Sequence, residues 1–183
     1  QFLQSCSNQR TDAYGGSIEN RFRIVREVVQ AVSEVYPINR VGIRLSLNGS
    51  GNDMGSEDNF ETFTYAVQEL AKLNIGYIQK TSSAPHNRCK LMDLADFRAH
   101  YSGIIIGSAG YTSETAEAAI SSGNADLIAF GQPFISNPDL VARFANSWTL
   151  ADPDLSTAFT HDSLGYADYP VYQAQSATTS VEA

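Results

Sequence analysis

Short apolar segments alternate with amphipathic helical patterns along this chain, and this alternation limits the possible folds more than any other feature. Four segments have the apolar, β-branched composition of short strands, at residues 41–46, 75–79, 103–107 and 125–130. A helical pattern precedes the first segment and separates each segment from the next. Repeats of this kind are typical of a parallel sheet with helices packed against it.

The helical patterns carry start and stop signals. In the first, apolar residues recur at spacings of four and three, which places them on one helix face: Ile18, Phe22, Val25, Val29, Val32 and Tyr36. Ser17 is the expected N-cap of this helix, and Pro37 is expected to end it. Three further helical patterns follow, around 60–73, 89–100 and 112–123, and an apolar segment covers 133–144.

Two architectures fit this order of elements. One is a four-stranded doubly wound sheet, and the other is half of a (β/α)8 barrel. A whole barrel typically needs about 250 residues, so a chain of 183 residues with four strands is too short for one. The pattern predicts one domain over 1–172. Residues 173–183 are rich in Ala, Ser, Thr and Gln without periodicity, which predicts a disordered tail.

Composition excludes several functional classes. The net charge is -8 and the pI is about 4.7, which disfavours a nucleic-acid-binding surface and adhesion to anionic membranes. The mean hydropathy is -0.22 and no long apolar run is present, so a membrane span is not expected. Cys6 and Cys89 lack the spacing of a disulfide or zinc scaffold, and a reduced, cytoplasmic location is predicted.

Arg44 is a charged residue within an apolar strand, between Ile43 and Leu45. Because alternate strand residues face opposite sides of a sheet, Arg44 is expected to face the barrel interior if its neighbours face the helices. A buried guanidinium needs an anionic or strongly polar partner. The strand alone leaves open whether that partner is a ligand or a buried carboxylate of the protein.

Two glycine-containing turns follow consecutive strands. Residues 108–111 follow the third strand, and residues 131–134 follow the fourth. In (β/α)8 barrels the last two strand–helix loops often bind phosphate through backbone N–H groups and a helix N-terminus. Ordinary turn chemistry is the open alternative, because glycine is common after strands.

Other chemical motifs are missing from the sequence. Residues 10–21 are dense in charges and turn formers, which favours a structured loop in which Asp12 pairs with Arg10 or Arg21. The chain has neither a dinucleotide fingerprint nor a phosphate-binding Walker motif. His86, His100 and His161 are scattered, so they predict no metal site, and no hydrolase nucleophile elbow is present.

Several sequence blocks resemble the old yellow enzyme family of FMN-dependent NAD(P)H oxidoreductases, which includes oxophytodienoate reductases. The blocks are SNQRTDAYGGSIENRFR (7–23), RVGIRLS (40–46), SAGYTSETAE (108–117), FGQPFISNPDLVARF (130–144) and GYADYP (165–170). They stand in the family's order. The resemblance implies that the four strand–helix units are the last four of a (β/α)8 barrel, and it therefore favours the half barrel.

The resemblance also implies cofactor-binding residues. Arg44 matches the arginine that meets the polar edge of the flavin and stabilises its anionic reduced form. Gly110 and Tyr111 match the first phosphate loop, and Gly131 and Gln132 match the second. By the same resemblance, the family's substrate-anchoring pair and its proton-donating tyrosine belong to the preceding half, so no catalytic residue is assigned in this chain.

Two positions depart from the family pattern. The family usually has arginine at the position of Gln132, and glutamine lacks the charge for a charge-assisted phosphate contact. Phe159, with Ala158, replaces an aromatic pair near the substrate, where tyrosine often stands at the position of Phe159. Phe159 is therefore an expected substrate contact without a hydroxyl.

The resemblance predicts an FMN enzyme that takes hydride from NAD(P)H and reduces the C=C bond of an α,β-unsaturated carbonyl. The isolated chain is expected to be inactive because it lacks the proton donor. The alternative is a non-catalytic half barrel that acts as a structural or interaction module. Its exposed sheet edges would pair with a missing N-terminal half or with a second copy in a homodimer that closes the barrel.

Overall fold

The computed structural model describes residues 1–47, 54–81 and 90–173. The chain divides into two compact units, Gln1–Ala129 and Phe130–Ala183. The domain predicted over 1–172 spans both units and stays a prediction. The predicted tail lies outside the described residues from residue 174 onward.

Helix α1 covers Ile18–Ser33 and begins where the sequence predicts. The Ser17 side chain accepts a hydrogen bond from the backbone N–H of Asn20, which satisfies one of the unpaired donors of the first turn. Phe22 and Val29 are buried on one face of the helix. The helix ends before Pro37, and a short 3-10 helix at Ile38–Arg40 leads into the first strand.

The first unit contains a parallel sheet in the order β1-β2-β3-β4. Its strands are β1 (Gly42–Ser46), β2 (Tyr77–Thr81), β3 (Ile104–Ser108) and β4 (Leu127–Ala129). The strand order follows the chain without the reversal that marks a doubly wound sheet. The alternation of strands and helices is confirmed, and the sequential order favours the half barrel.

All four strands differ in extent from the sequence prediction: β1 begins one residue later, β3 is shifted by one residue, and β2 and β4 differ by more. β2 begins two residues later, at Tyr77, and extends to Thr81 rather than ending at Gln79. Ile75 is buried just before the strand, and the Gly76 N–H donates to Val41 O. β4 is shorter than predicted at both ends.

Helices between the strands occupy the predicted intervals. They are α2 (Asn59–Lys72), α3 (Leu94–Arg98) and α4 (Ser113–Ser121). After the last strand, the second unit contains α5 (Gln132–Ser136) and α6 (Leu140–Asn146). Thr112 caps α4, as predicted, and Gly123 follows it with a φ of 74°. The helix expected around 89–100 is shorter, since Asp93 caps α3 with a reciprocal capping box. Cys89 lies outside the described residues.

One face of the sheet packs against the helices. Leu45, Ile78 and Ile105 are buried there, in the same core as Phe22 and Phe97. The opposite face, here called the open face, carries Arg44, Tyr77, Ile104 and Leu127, all of them exposed. In the part of the chain that the structure describes, no helix is long and apolar enough to cross a membrane.

Candidate functional site

Polar side chains from three neighbouring strands meet on the open face, near the carboxyl ends of the strands. Ser46, Thr81 and Ser108 are in register at the last positions of β1, β2 and β3. Arg44 Nη2 donates to Thr81 Oγ1 over 3.1 Å, and Thr81 Oγ1 donates to Ser108 Oγ over 3.3 Å. These three residues, Arg44, Thr81 and Ser108, form what we call the strand-end ladder.

The orientation of Arg44 agrees with the sequence analysis, but its burial does not. Leu45 is 4% exposed and faces the core, so Arg44 lies on the open face. The guanidinium was expected to be buried, whereas Arg44 is exposed in this structure. No carboxylate within the described ranges forms a salt bridge with Arg44.

The loop after β3 has an unusual backbone. Ala109 and Gly110 have φ values of 71° and 77°. The left-handed region is uncommon for alanine, and strain of this kind clusters at binding sites. A Cβ at Gly110 would meet nothing within 4 Å, so the backbone conformation rather than space favours glycine there. Within the described ranges, the N–H groups of Gly110 and Tyr111 have no hydrogen-bond partner, which leaves them available to an anion.

Tyr111 contributes its backbone rather than its phenol to this loop. Its ring packs against the core of the first unit. A Cβ at Gly107 would lie 2.9 Å from the Tyr111 hydroxyl, so Gly107 makes room for the ring. Burial, together with the negative charge of Asp93, raises the pKa of Tyr111 above its ordinary value. The raised pKa keeps the phenol protonated at neutral pH.

The N-terminus of α4 follows this loop directly. Thr112 and Thr115 cap it reciprocally, since the N–H of each residue donates to the hydroxyl of the other. The partial positive charge of a helix N-terminus adds to the attraction of the loop for anions. Loop and helix start together resemble a phosphate-binding element.

In the second unit, Gly131 and Gln132 form the start of α5. Gly131 is the N-cap residue, and a Cβ there would meet nothing within 4 Å. Gln132 is exposed at the first helical position. Phe159 is 69% exposed, whereas Ala158 is fully buried. Among the described residues, no hydrogen bond or ring contact joins Gln132 to Phe159.

Sequence reasoning missed Thr81 and Ser108. The predicted second strand ended at Gln79, which left Thr81 in a turn, and the predicted third strand ended one residue before Ser108. The alternation of side chains along a strand could have indicated them. Thr81 stands two residues after Gln79 and Ser108 two residues after Ile106, so each hydroxyl faces the same side as the earlier residue. A correct strand boundary would have placed both hydroxyls on the face of Arg44.

The segment over residues 10–21 contains one of the two predicted pairings of Asp12 and leads into α1. Arg10 pairs with Asp12 through two hydrogen bonds. Arg21 instead reaches Asp58. No group of His, Cys, Asp and Glu residues within the described ranges can hold a metal ion. His100 and His161 are exposed, and His86 lies outside those ranges.

Comparison with known proteins identifies relatives of the whole described fold. The sequence model of the NADH:flavin oxidoreductase / NADH oxidase family matches residues 1–150. A probable flavin mononucleotide-dependent alkene reductase of Leishmania infantum is 38% identical over 170 residues, which cover 93% of this chain and 46% of the relative. 12-Oxophytodienoate reductase 1 of Oryza sativa subsp. japonica is 38% identical over 176 residues, with the same two coverages.

Solved structures agree with this assignment. Morphinone reductase matches with a TM-score of 0.84 and 35% identity, over 93% of this chain and 46% of its own. The old yellow enzyme from Trypanosoma cruzi matches with a TM-score of 0.86 and 30% identity, over 94% of this chain and 46% of its own. The chain thus spans about half the length of these relatives, and its four strand–helix units form half of an α/β barrel.

Proposed function

The chain belongs to the NADH:flavin oxidoreductase / NADH oxidase family, the family of old yellow enzyme, and we propose that its protein is an FMN-dependent ene-reductase. The substrate class is a small α,β-unsaturated carbonyl, and the reductant is NAD(P)H. The observation that carries the proposal is the exposed guanidinium of Arg44, held at the carboxyl ends of the strands by Thr81. In barrels of this type, active sites lie at that end.

The residues of the first unit fit FMN. Arg44 would bind the polar edge of the flavin and stabilise negative charge there. The unpartnered N–H groups of Gly110 and Tyr111 would bind phosphate oxygens, next to the start of α4. When bound, FMN would supply hydride transfer between the nicotinamide and the β-carbon of the enone. The α-carbon also needs a proton, for which this chain offers no matched donor, so the isolated chain is expected to be inactive.

The second unit would contribute to FMN and substrate binding more weakly than the first. The backbone of Gly131 is open to a ligand, but Gln132 supplies only a neutral hydrogen bond where the family usually has arginine. Phe159 would contact substrate through its ring alone. FMN binding is therefore expected to be weaker than in a relative with arginine at that position.

The test uses the protein at its natural length, isolated from its source in the cytoplasmic fraction where we expect it. Intact mass and visible absorbance are measured on one sample, and released flavin is identified by chromatography. We expect FMN, bleaching of the flavin by NAD(P)H, and reoxidation by 2-cyclohexenone. A colourless protein that does not bind added FMN would contradict the proposal.

A second candidate function is supported by one specific observation. An apolar groove of about 420 Å³ lies between α1 and the edge of β1, lined among others by Phe2, Val28, Val32 and Ile43. An unpaired edge beside an apolar groove favours association with another strand–helix segment. The alternative is thus a non-catalytic interaction module that pairs with a second copy or another half barrel. A flavin-free complex at natural length would favour it.

A further inference from the structure

We propose that Thr81 is a positioning residue for Arg44. Its hydroxyl, fixed in turn by Ser108, directs the guanidinium along the open face toward the carboxyl ends of the strands. The inference rests on the proposed function, because the ligand for which Arg44 is positioned is the polar edge of FMN. It assigns a role to two residues, Thr81 and Ser108, that neither the motifs nor the site chemistry above requires.

The sheet register sets the direction in which Arg44 points. Arg44 lies opposite Gln79 in β2, and Thr81 lies two residues nearer the carboxyl end. The hydrogen bond from Arg44 to Thr81 is therefore diagonal and inclines the side chain toward the strand ends. Without that bond, the exposed guanidinium has no described polar partner on the open face to favour this rotamer.

Hydrogen-bond polarity makes the ladder directional. Arginine only donates, so Thr81 must accept from it. The single hydroxyl proton of Thr81 is directed at Ser108, which turns an oxygen lone pair toward Arg44. One of the five guanidinium N–H donors is occupied in this way, and the others have no partner among the described residues. As far as the described residues go, these donors are available to ligand oxygens and nitrogens.

Thr81 and Arg44 differ in their exposure to solvent. Thr81 is 7% exposed, whereas Arg44 is exposed. A long arginine side chain loses considerable rotamer freedom on binding. A buried, fixed hydroxyl that orders the guanidinium beforehand reduces the ordering needed when ligand binds. Thr81 is thus expected to affect ligand affinity as well as local packing.

The experiment compares Thr81→Val with Thr81→Ser in the natural-length protein after its flavin has been removed. Valine keeps the shape and loses the hydroxyl, whereas serine keeps the hydroxyl. Titration with FMN, followed by flavin fluorescence, is expected to give about tenfold weaker binding for Thr81→Val. Thr81→Ser is expected to keep most of the wild-type affinity for FMN. Ser108→Ala, which removes the acceptor behind Thr81, is expected to weaken binding less than Thr81→Val.

A second readout is the midpoint potential of the bound flavin. Arg44 stabilises the anionic reduced form more than the neutral oxidised form, so a disordered guanidinium favours the oxidised form. If reduced FMN loses ten times more affinity than oxidised FMN, the potential falls by about 30 mV for this two-electron couple. A packing role for Thr81 alone would not move the potential.

The role of Arg44 is isolated by a double-mutant cycle. In an Arg44→Leu background, Thr81→Val is expected to have no further effect on FMN affinity. The inference would be overturned if Thr81→Val weakened FMN binding equally in the wild-type and Arg44→Leu backgrounds. It would also be overturned if Thr81→Val kept the wild-type FMN affinity and flavin potential. If wild type binds no FMN, or Arg44→Leu leaves its affinity unchanged, the proposed flavin site fails instead. NMR of the Arg44 Nε–H in FMN-free protein checks the ladder separately, since Thr81→Val is expected to raise its mobility.

Discussion

At the scale of single residues, Gln132 is the position where one substitution is expected to strengthen the proposed binding of FMN. Gln132→Arg adds a charge that can make bidentate contacts to phosphate. A hydrogen bond to a charged group contributes roughly 1–3 kcal/mol, so FMN affinity is expected to rise by about tenfold or more. Titration of flavin-free, natural-length protein measures the change. Gln132→Glu is the matched control and is expected to weaken binding by charge repulsion; equal affinities for the two variants would contradict a phosphate contact here.

Gly76 is expected to tolerate no side chain. A Cβ there would lie 2.2 Å from the backbone oxygen of Asn39, and a backbone neighbour cannot move aside as a flexible side chain can. Gly76→Ala is therefore expected to destabilise the first unit by about 1–3 kcal/mol, as overpacking typically does. Urea denaturation measures the loss. Gly131→Ala, which would meet nothing within 4 Å, is the control and should change the free energy of unfolding little.

Arg44 and Thr81 show which features of the site could be predicted from the sequence and which could not. The side of the sheet that Arg44 faces followed from the alternation of Ile43 and Leu45. Its exposure did not, because burial depends on which other segments cover the open face. Thr81 was missed because the end of β2 depends on pairing with distant segments, in which Thr81 lies opposite Ser46 and Ser108.

At the scale of elements, an ion pair between a buried arginine and a partly exposed aspartate joins α1 to the start of α2. Arg21 Nη2 donates to Asp58 Oδ2 over 2.6 Å and to Thr62 Oγ1 over 2.9 Å, and Ser5 Oγ donates to Asp58 Oδ1 over 2.6 Å. The Arg21 side chain is 3% exposed, whereas that of Asp58 is 37% exposed. The two partners therefore differ in what their removal leaves behind.

Asp58→Ala is expected to destabilise the first unit more than Arg21→Met. Removing Asp58 leaves a buried guanidinium without its counter-ion, which costs about 3–5 kcal/mol. Removing Arg21 leaves a carboxylate that water and Ser5 still reach, with a loss of roughly 1–3 kcal/mol. Urea denaturation of both variants tests the order. The reverse order would show that the buried charge is compensated elsewhere.

The same pair predicts a pH dependence of stability. Burial raises the pKa of Asp58, but hydrogen bonds from Ser5 and Arg21 outweigh it and hold the pKa below its ordinary value. A lowered folded-state pKa contributes stability that is complete above about pH 4, near the unfolded pKa. That contribution is lost as the pH falls through the lower folded-state value. Arg21→Met is expected to reduce the acid dependence of the unfolding free energy, and an unchanged dependence would assign it to other carboxyl groups.

Elements with strong local signals were predicted well. α1 has an N-cap serine and a regular apolar stripe, and it begins at Ile18, as expected. β4 and α3 are short, and their limits depend on tertiary contacts and on the capping box at Asp93. Local propensity therefore indicated which elements exist, whereas their ends required the assembled sheet.

At the scale of the whole molecule, strand order separates two folds that the sequence pattern left open. A doubly wound sheet and a half barrel share the same alternation of strands and helices along the chain. The sequential parallel order of β1 to β4, with one face packed by helices and the other open, belongs to the half barrel. An open face with exposed Tyr77, Ile104 and Leu127 is one that a barrel encloses.

The groove beside β1 gives a prediction for the 183-residue chain produced alone. Val28 lines this groove and is 52% exposed, whereas Val35, in the turn that follows α1, is 75% exposed and does not line it. Because exposed apolar surface beside an unpaired strand edge favours association, the chain is expected to sediment above 19.9 kDa at micromolar concentration. Val28→Lys is expected to shift it toward the monomer by placing a charge in the groove, and Val35→Lys should leave its association unchanged. Equal effects of the two lysines would attribute association to general apolar exposure of α1 and the turn after it, and a monomer at every concentration would mean that the β1 edge does not associate with a second copy.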